Sequence, residues 1–92
     1  MRSVRGEVDV KLGPREVAVL HALVESGGRV VDRDRLRRDA GLQDLNDRSC
    51  DSALVGIRRV LGPDAVVTVR RRGWRLDPEA VALAVTILAS LG

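Results

Sequence analysis

Residues 46–62 read "NDRSCDSALVGIRRVLG", and their apolar positions recur at a single period. Cys50, Ala53, Leu54, Ile57, Val60 and Leu61 fall at i, i+3, i+4, i+7, i+10 and i+11, the spacing of one buried stripe on an α-helix. Asn46 or Asp47 is the N-cap, and Gly62-Pro63-Asp64 ends the helix in a turn. On the opposite side lie Arg48, Ser52, Val55 and Arg59, with Ser49 and Gly56 beside them. A helix with arginine at both ends of its exposed face and small residues between them is able to approach another surface closely.

C-terminal to this helix, Val66, Val67 and Val69 are branched residues of the kind that favour strands. They lead into "TVRRRGWRL", residues 68–76, where three arginines and Gly73 form a tip and Trp74-Arg75-Leu76 returns as a second strand. Trp74 is the only aromatic residue of the chain. On the N-terminal side, "RVVDRDRLRRDAG" predicts a short basic helix. Asp32 is its N-cap, Val31 and Leu36 are a hydrophobic staple, and Gly41 is its stop. Before it, "GPREVAVLHALVESGG" predicts a helix starting at Pro14, with Glu16 in its first turn and Val17, Leu20, Leu23 and Val24 as its apolar face. The opening "RSVRGEVDVKL" alternates Val4, Val8, Val10 and Leu12 with charged residues, and reads as a hairpin or at least one exposed strand.

The chain has 92 residues, suited to one modest core. Sixteen basic against thirteen acidic residues give a net charge of +3, and nearly all the bases are arginine, the side chain that grips phosphates bidentately. One cysteine and one histidine leave no intramolecular disulfide and no metal cluster to expect, so neither metal nor cofactor is predicted. With no Tyr, no glycine-rich phosphate cradle after a strand, and His21 and Cys50 on separate helices, catalysis by this chain is not expected. No segment has the roughly 18 consecutive apolar residues of a membrane span, and the expected setting is the cytoplasm.

Three helices followed by a basic two-stranded ribbon is the element order of a winged helix-turn-helix. Residues Leu12 to Leu76 resemble the effector domain of the OmpR/PhoB family of bacterial response regulators. The family opening "LTPxE" is met here by "LGPRE", "GxVVSREEL" by "GRVVDRDRL", "RTVDVHISRLRKKLG" by "RSCDSALVGIRRVLG", and "TVRGxGYRL" by "TVRRRGWRL". The resemblance implies an α+β fold with a three-helix core, a C-terminal β-hairpin wing, and here an extra C-terminal helix. It implies sequence-specific binding of double-stranded DNA for transcription regulation, the third helix (48–61) in the major groove and the wing (70–73) at the adjacent minor groove. Carried over by position, Arg48 and Arg59 are phosphate contacts, Ser49, Asp51 and Ser52 face base edges, and Arg70 reaches the minor groove. Arg71 and Arg72 replace residues that are usually small or apolar. Trp74 replaces a family Tyr and is expected to anchor the wing on the third helix, with its indole N–H a donor for phosphate. The segment "GLQDLN", 41–46, matches the stretch that in some relatives contacts RNA polymerase.

Val55 and Gly56 stand where relatives often carry arginines, and the Gly costs about 1 kcal/mol of helix propensity relative to Ala. A second reading is therefore a winged helix used for protein interaction, the C-terminal regulatory part of a larger protein such as a uroporphyrinogen-III synthase-like fusion. Too few residues precede Leu12 for the four-stranded sheet with which the family opens, so an upstream domain is expected. After the wing, "DPEAVALAVTILASLG" predicts a helix capped by Asp77 with Pro78 at its first position. Residues 1–76 are thus read as the winged-helix domain. Residues 77–92 are read as an apolar helix that packs on it, on a second copy or on an upstream domain.

Overall fold

The computed structural model describes residues 12–91, and the expected N-terminal strand or hairpin lies outside them. Six elements follow in order: α1 (Pro14–Glu25), α2 (Arg33–Ala40), α3 (Asp47–Leu61), β1 (Val66–Val69), β2 (Gly73–Leu76) and α4 (Pro78–Leu91). They form the α+β arrangement of a winged helix.

Local chemistry sets the helix boundaries. At the start of α1, Glu16 Oε1 accepts from the Gly13 N–H at 2.6 Å, so the acidic residue of the first turn reaches back to its own cap. Asp32 caps α2 by accepting from the Arg35 N–H at 2.8 Å. Its far end is a Schellman closure, with Gly41 left-handed (φ 70°), Leu42 N–H donating to Arg37 and Gly41 N–H to Arg38. Asn46, rather than Asp47, caps α3: its Oδ1 accepts from the Ser49 N–H at 2.9 Å while its own N–H donates to Ser49 Oγ at 2.9 Å.

The core gathers Val19, Leu20, Ala22 and Leu23 of α1, Val31 and Leu36 of the staple, Leu45, and Cys50, Ala53, Leu54 and Ile57 of α3. Ala65, Val66 and Leu76 join it from the wing, and Ala80 and Ala84 from α4. The expected apolar face of α1 is shifted: Val19 and Ala22 are buried, whereas Val17 and Val24 are only half-buried. α1 is the central helix, touching α2, α3, α4 and β2, so its buried arc is wider than a single-stripe reading allows. On α3 the stripe ends earlier than its spacing predicts, with Val60 and Leu61 half-buried.

β1 and β2 pair antiparallel, Val66 opposite Leu76 and Val69 opposite Gly73. β2 has a second partner, because Val31, in the link between α1 and α2, exchanges both backbone hydrogen bonds with Trp74 at 2.8 and 2.9 Å. Gly73 makes this approach feasible. Its φ of 140° excludes ordinary side chains, and a Cβ there would overlap the Val31 carbonyl. α4 packs on α1 and α3, burying Ala80, Ala84 and Ile87 at i, i+4 and i+7 and leaving Leu83 and Val85 about half exposed. Among the described residues, no helix is long and apolar enough to cross a membrane.

Candidate nucleic-acid interface

The exposed side of α3 carries Arg48, Asp51, Ser52, Val55 and Arg59. From Arg48 to Arg59 the helix rises about 16 Å, more than the roughly 12 Å width of a B-DNA major groove. Arg48 and Arg59 thus stand at the two ends of this exposed face. Asp51, Ser52 and Val55 lie between them, in an open trough whose wall is completed by Glu16 and Gly56.

Two residues expected on this face are elsewhere. The Ser49 hydroxyl is committed to the cap, accepting from the Asn46 N–H and lying 3.2 Å from Asn46 Oδ1, so it is not presented to base edges. Gly56 is buried, not exposed, because the Glu16 side chain lies over it, where a Cβ would fall inside contact distance of the carboxylate. The glycine that breaks the helix-propensity rule is the seat of the α1 cap.

The arginines fall into two electrostatic classes. On α2, Arg33 pairs with Asp47 at the start of α3, Arg35 with Asp39 at 3.4 Å, and Arg37 with Asp34. Arg15 pairs with Asp44 across the 41–46 segment at 3.2 Å. By contrast, Arg48 and Arg59 on α3 and Arg70, Arg71 and Arg72 at the wing tip make no ion pair among the described residues, and all five are exposed. Arg29 in the α1–α2 link and Arg38 on α2 are likewise exposed and without an ion pair among the described residues, so unneutralised positive charge is concentrated on α3 and the wing tip, while three of the four arginines of α2 are paired locally.

The wing tip is a tight turn closed by the Arg72 N–H donating to the Val69 carbonyl at 2.9 Å. Arg71 sits in it with φ 65°, a left-handed conformation in which a non-glycine residue costs about 1–2 kcal/mol. Trp74 is half-buried against the core. Its backbone ties the wing to Val31, so the anchor runs to the α1–α2 link as well as to the core.

The link between wing and α3 is made by a residue that the sequence reading did not single out. The Arg58 guanidinium donates to the Val66 carbonyl through Nη2 at 2.9 Å and Nε at 3.2 Å, and to Thr68 Oγ1 at 3.0 Å. It fixes β1, and with it the three wing arginines, at one angle to the exposed face of α3. The only signal for it in the sequence is an arginine bordering the buried stripe, eight residues before the branched Val66.

Comparison with known proteins agrees with this geometry. Residues 6–76 match the family model described as "Transcriptional regulatory protein, C terminal". The chain is 33% identical over 73 residues to the response regulator protein PmrA of Pseudomonas aeruginosa, an alignment covering 77% of this chain and 33% of that protein. It is 28% identical over 86 residues to the transcriptional regulator HilA of Salmonella typhi, covering 88% of this chain and 16% of that protein. The chain thus spans a third or less of the length of these relatives, and no solved structure gives a significant match. With the family model covering most of the chain, from before α1 to the end of β2, this protein belongs to the family of C-terminal domains of transcriptional regulatory proteins.

Proposed function

We propose that this chain binds duplex DNA as the output module of a bacterial transcription regulator, with α3 in the major groove and the wing at the adjacent minor groove. The observation that carries the reading is the concentration on α3 and the wing tip of exposed arginines with no ion pair among the described residues: Arg48, Arg59, Arg70, Arg71 and Arg72, against Arg29 and Arg38 elsewhere. Arg48 and Arg59 grip phosphates on either side of the groove, and Arg70, Arg71 and Arg72 supply the minor-groove and backbone contacts. Asp51 and Ser52 face base edges, and the Trp74 indole N–H is a donor toward the backbone. The role is binding, without chemistry, and it is exercised in the cytoplasm.

Two further contacts belong to the same reading. The 41–46 segment, held by buried Leu45 with Gln43 and Asp44 exposed, is the surface for RNA polymerase. The outer face of α4, with Leu83 and Val85, is the surface for a second copy or an upstream domain.

The test is fluorescence anisotropy of a mixed-sequence duplex at several salt concentrations, with wild type and with a triple variant, Arg70→Ala, Arg71→Ala and Arg72→Ala. Wild-type affinity is expected to fall steeply with salt, and the triple variant to bind more weakly with a shallower dependence on salt. Absence of binding at low salt, or equal binding by the two proteins, refutes the reading.

A further inference from the structure

Val55 is an apolar side chain on a charged surface, 50% exposed in the trough between Arg48 and Arg59. Among the described residues the other large exposed hydrophobics lie elsewhere, Val30 in the α1–α2 link and Leu83 and Val85 on α4. No fold requirement explains it, since the buried stripe of α3 runs on the other side of the helix and Val55 is absent from the core. We propose that Val55 is a specificity residue that reads the 5-methyl group of thymine, an inference resting on the DNA-binding reading above.

Three physical points converge on that assignment. The thymine C5-methyl is the one apolar substituent that a standard base pair displays in the major groove, cytosine offering only a hydrogen at the same position and the remaining edge groups being donors or acceptors. Valine facing an amino or carbonyl edge would strip it of water without replacing a hydrogen bond, which disfavours the other bases. A β-branched side chain in a helix is held largely in one χ1 rotamer, so its methyl groups are aimed before contact. The surroundings also fit. Ser52 is small, Gly56 has no side chain, and Arg48 and Arg59 stand about two turns and one turn away, leaving Val55 the apolar projection in the trough.

The experiment uses a duplex selected by this chain from a random-sequence pool, in which each thymine is replaced in turn by deoxyuridine. Burying one methyl group changes affinity roughly fourfold. Wild type is therefore expected to lose about fourfold at one or two thymines and nothing at the rest. Val55→Ala is expected to bind the thymine duplex about as weakly as wild type binds the deoxyuridine one, and to be indifferent to the replacement. Because Val55 is half exposed, Val55→Ala is expected to melt with wild type, which circular dichroism checks. Uniform insensitivity of wild type to deoxyuridine, or equal sensitivity of both proteins, overturns the assignment of Val55. Selection that enriches no sequence, with salt-dependent binding intact, overturns it while leaving the DNA-binding reading standing. Loss of all binding overturns both.

Discussion

Arg58 holds Val66 by a forked pair of hydrogen bonds, Nη2 and Nε both donating to one carbonyl at 2.9 and 3.2 Å, and this fork makes α3 and the wing a single unit. The side chain of Val66 is buried, so its carbonyl has limited access to water once the guanidinium is gone. Arg58→Ala is expected to cost about 1–3 kcal/mol of stability, read as a lower urea midpoint at unchanged slope. Arg58→Lys should recover only part of it, because an ammonium cannot reproduce the planar fork. Duplex binding is expected to weaken less than in the triple wing variant. Equal stability of all three proteins would show that the fork holds nothing.

Arg71 is the residue at the wing tip whose backbone is under strain, and glycine is the substitution that removes it. A left-handed non-glycine residue costs about 1–2 kcal/mol, against roughly 0.4–1 kcal/mol for the greater unfolded-state freedom of glycine. Arg71→Gly is therefore expected to stabilise the domain by about 0.5–1 kcal/mol, and Arg71→Ala, which keeps a Cβ at the same φ, to give no such gain. Both lose the guanidinium and are expected to bind duplex DNA equally weakly. Thermal melts and anisotropy titrations on the two variants separate backbone strain from charge, and identical melts would contradict the strain argument.

Much of this architecture is legible in the sequence wherever the physics is local. Asp32 before a basic run, Gly41 after it, and the recurrence from Cys50 to Ile57 each specify structure within one or two turns. What escapes is set by contacts distant in the chain. The Val31–Trp74 bridge joins residues more than forty positions apart, and nothing in either tripeptide announces the other. Gly56 looks exposed because it carries no hydrophobic signal, yet it is buried by a glutamate from another helix. Ser49 reads as a polar residue on a binding face, but at the third position of α3 its hydroxyl completes the cap before any base can use it. The charge pattern was ambiguous for the same reason: Arg33 and Arg37 look as available as Arg48 until their aspartate partners are in place.

Cys50 is wholly buried, and burial pushes its thiol above the ordinary range, with the neighbouring Asp51 charge acting in the same direction. Below the unfolded thiol pKa, near about 8.5, both states keep the proton and stability does not respond to this group. Above it the unfolded chain ionises first, so it binds fewer protons than the folded one and stability falls as pH rises toward the folded value. Cys50→Ala should remove that alkaline slope, at the cost of a small cavity. In the native protein the thiol is expected to resist alkylation at pH 8 and to react only at the rate of unfolding. Rapid labelling of the folded domain would contradict its burial.

Glu16 and Gly56 form a coupled pair, and the coupling has a defined sign. In the wild type, Gly56→Ala gains about 1 kcal/mol of helix propensity but displaces the Glu16 carboxylate, which then loses its bond to the Gly13 N–H, worth a similar amount. The single substitution is thus expected to change stability little. With Glu16→Ala already in place, the obstruction is absent and Gly56→Ala should stabilise the domain by close to the full propensity gain. A double-mutant cycle by urea denaturation is expected to return a coupling of about 1 kcal/mol, whereas additive effects would mean that Glu16 moves aside freely and that the glycine is held at this position by some contact other than the cap.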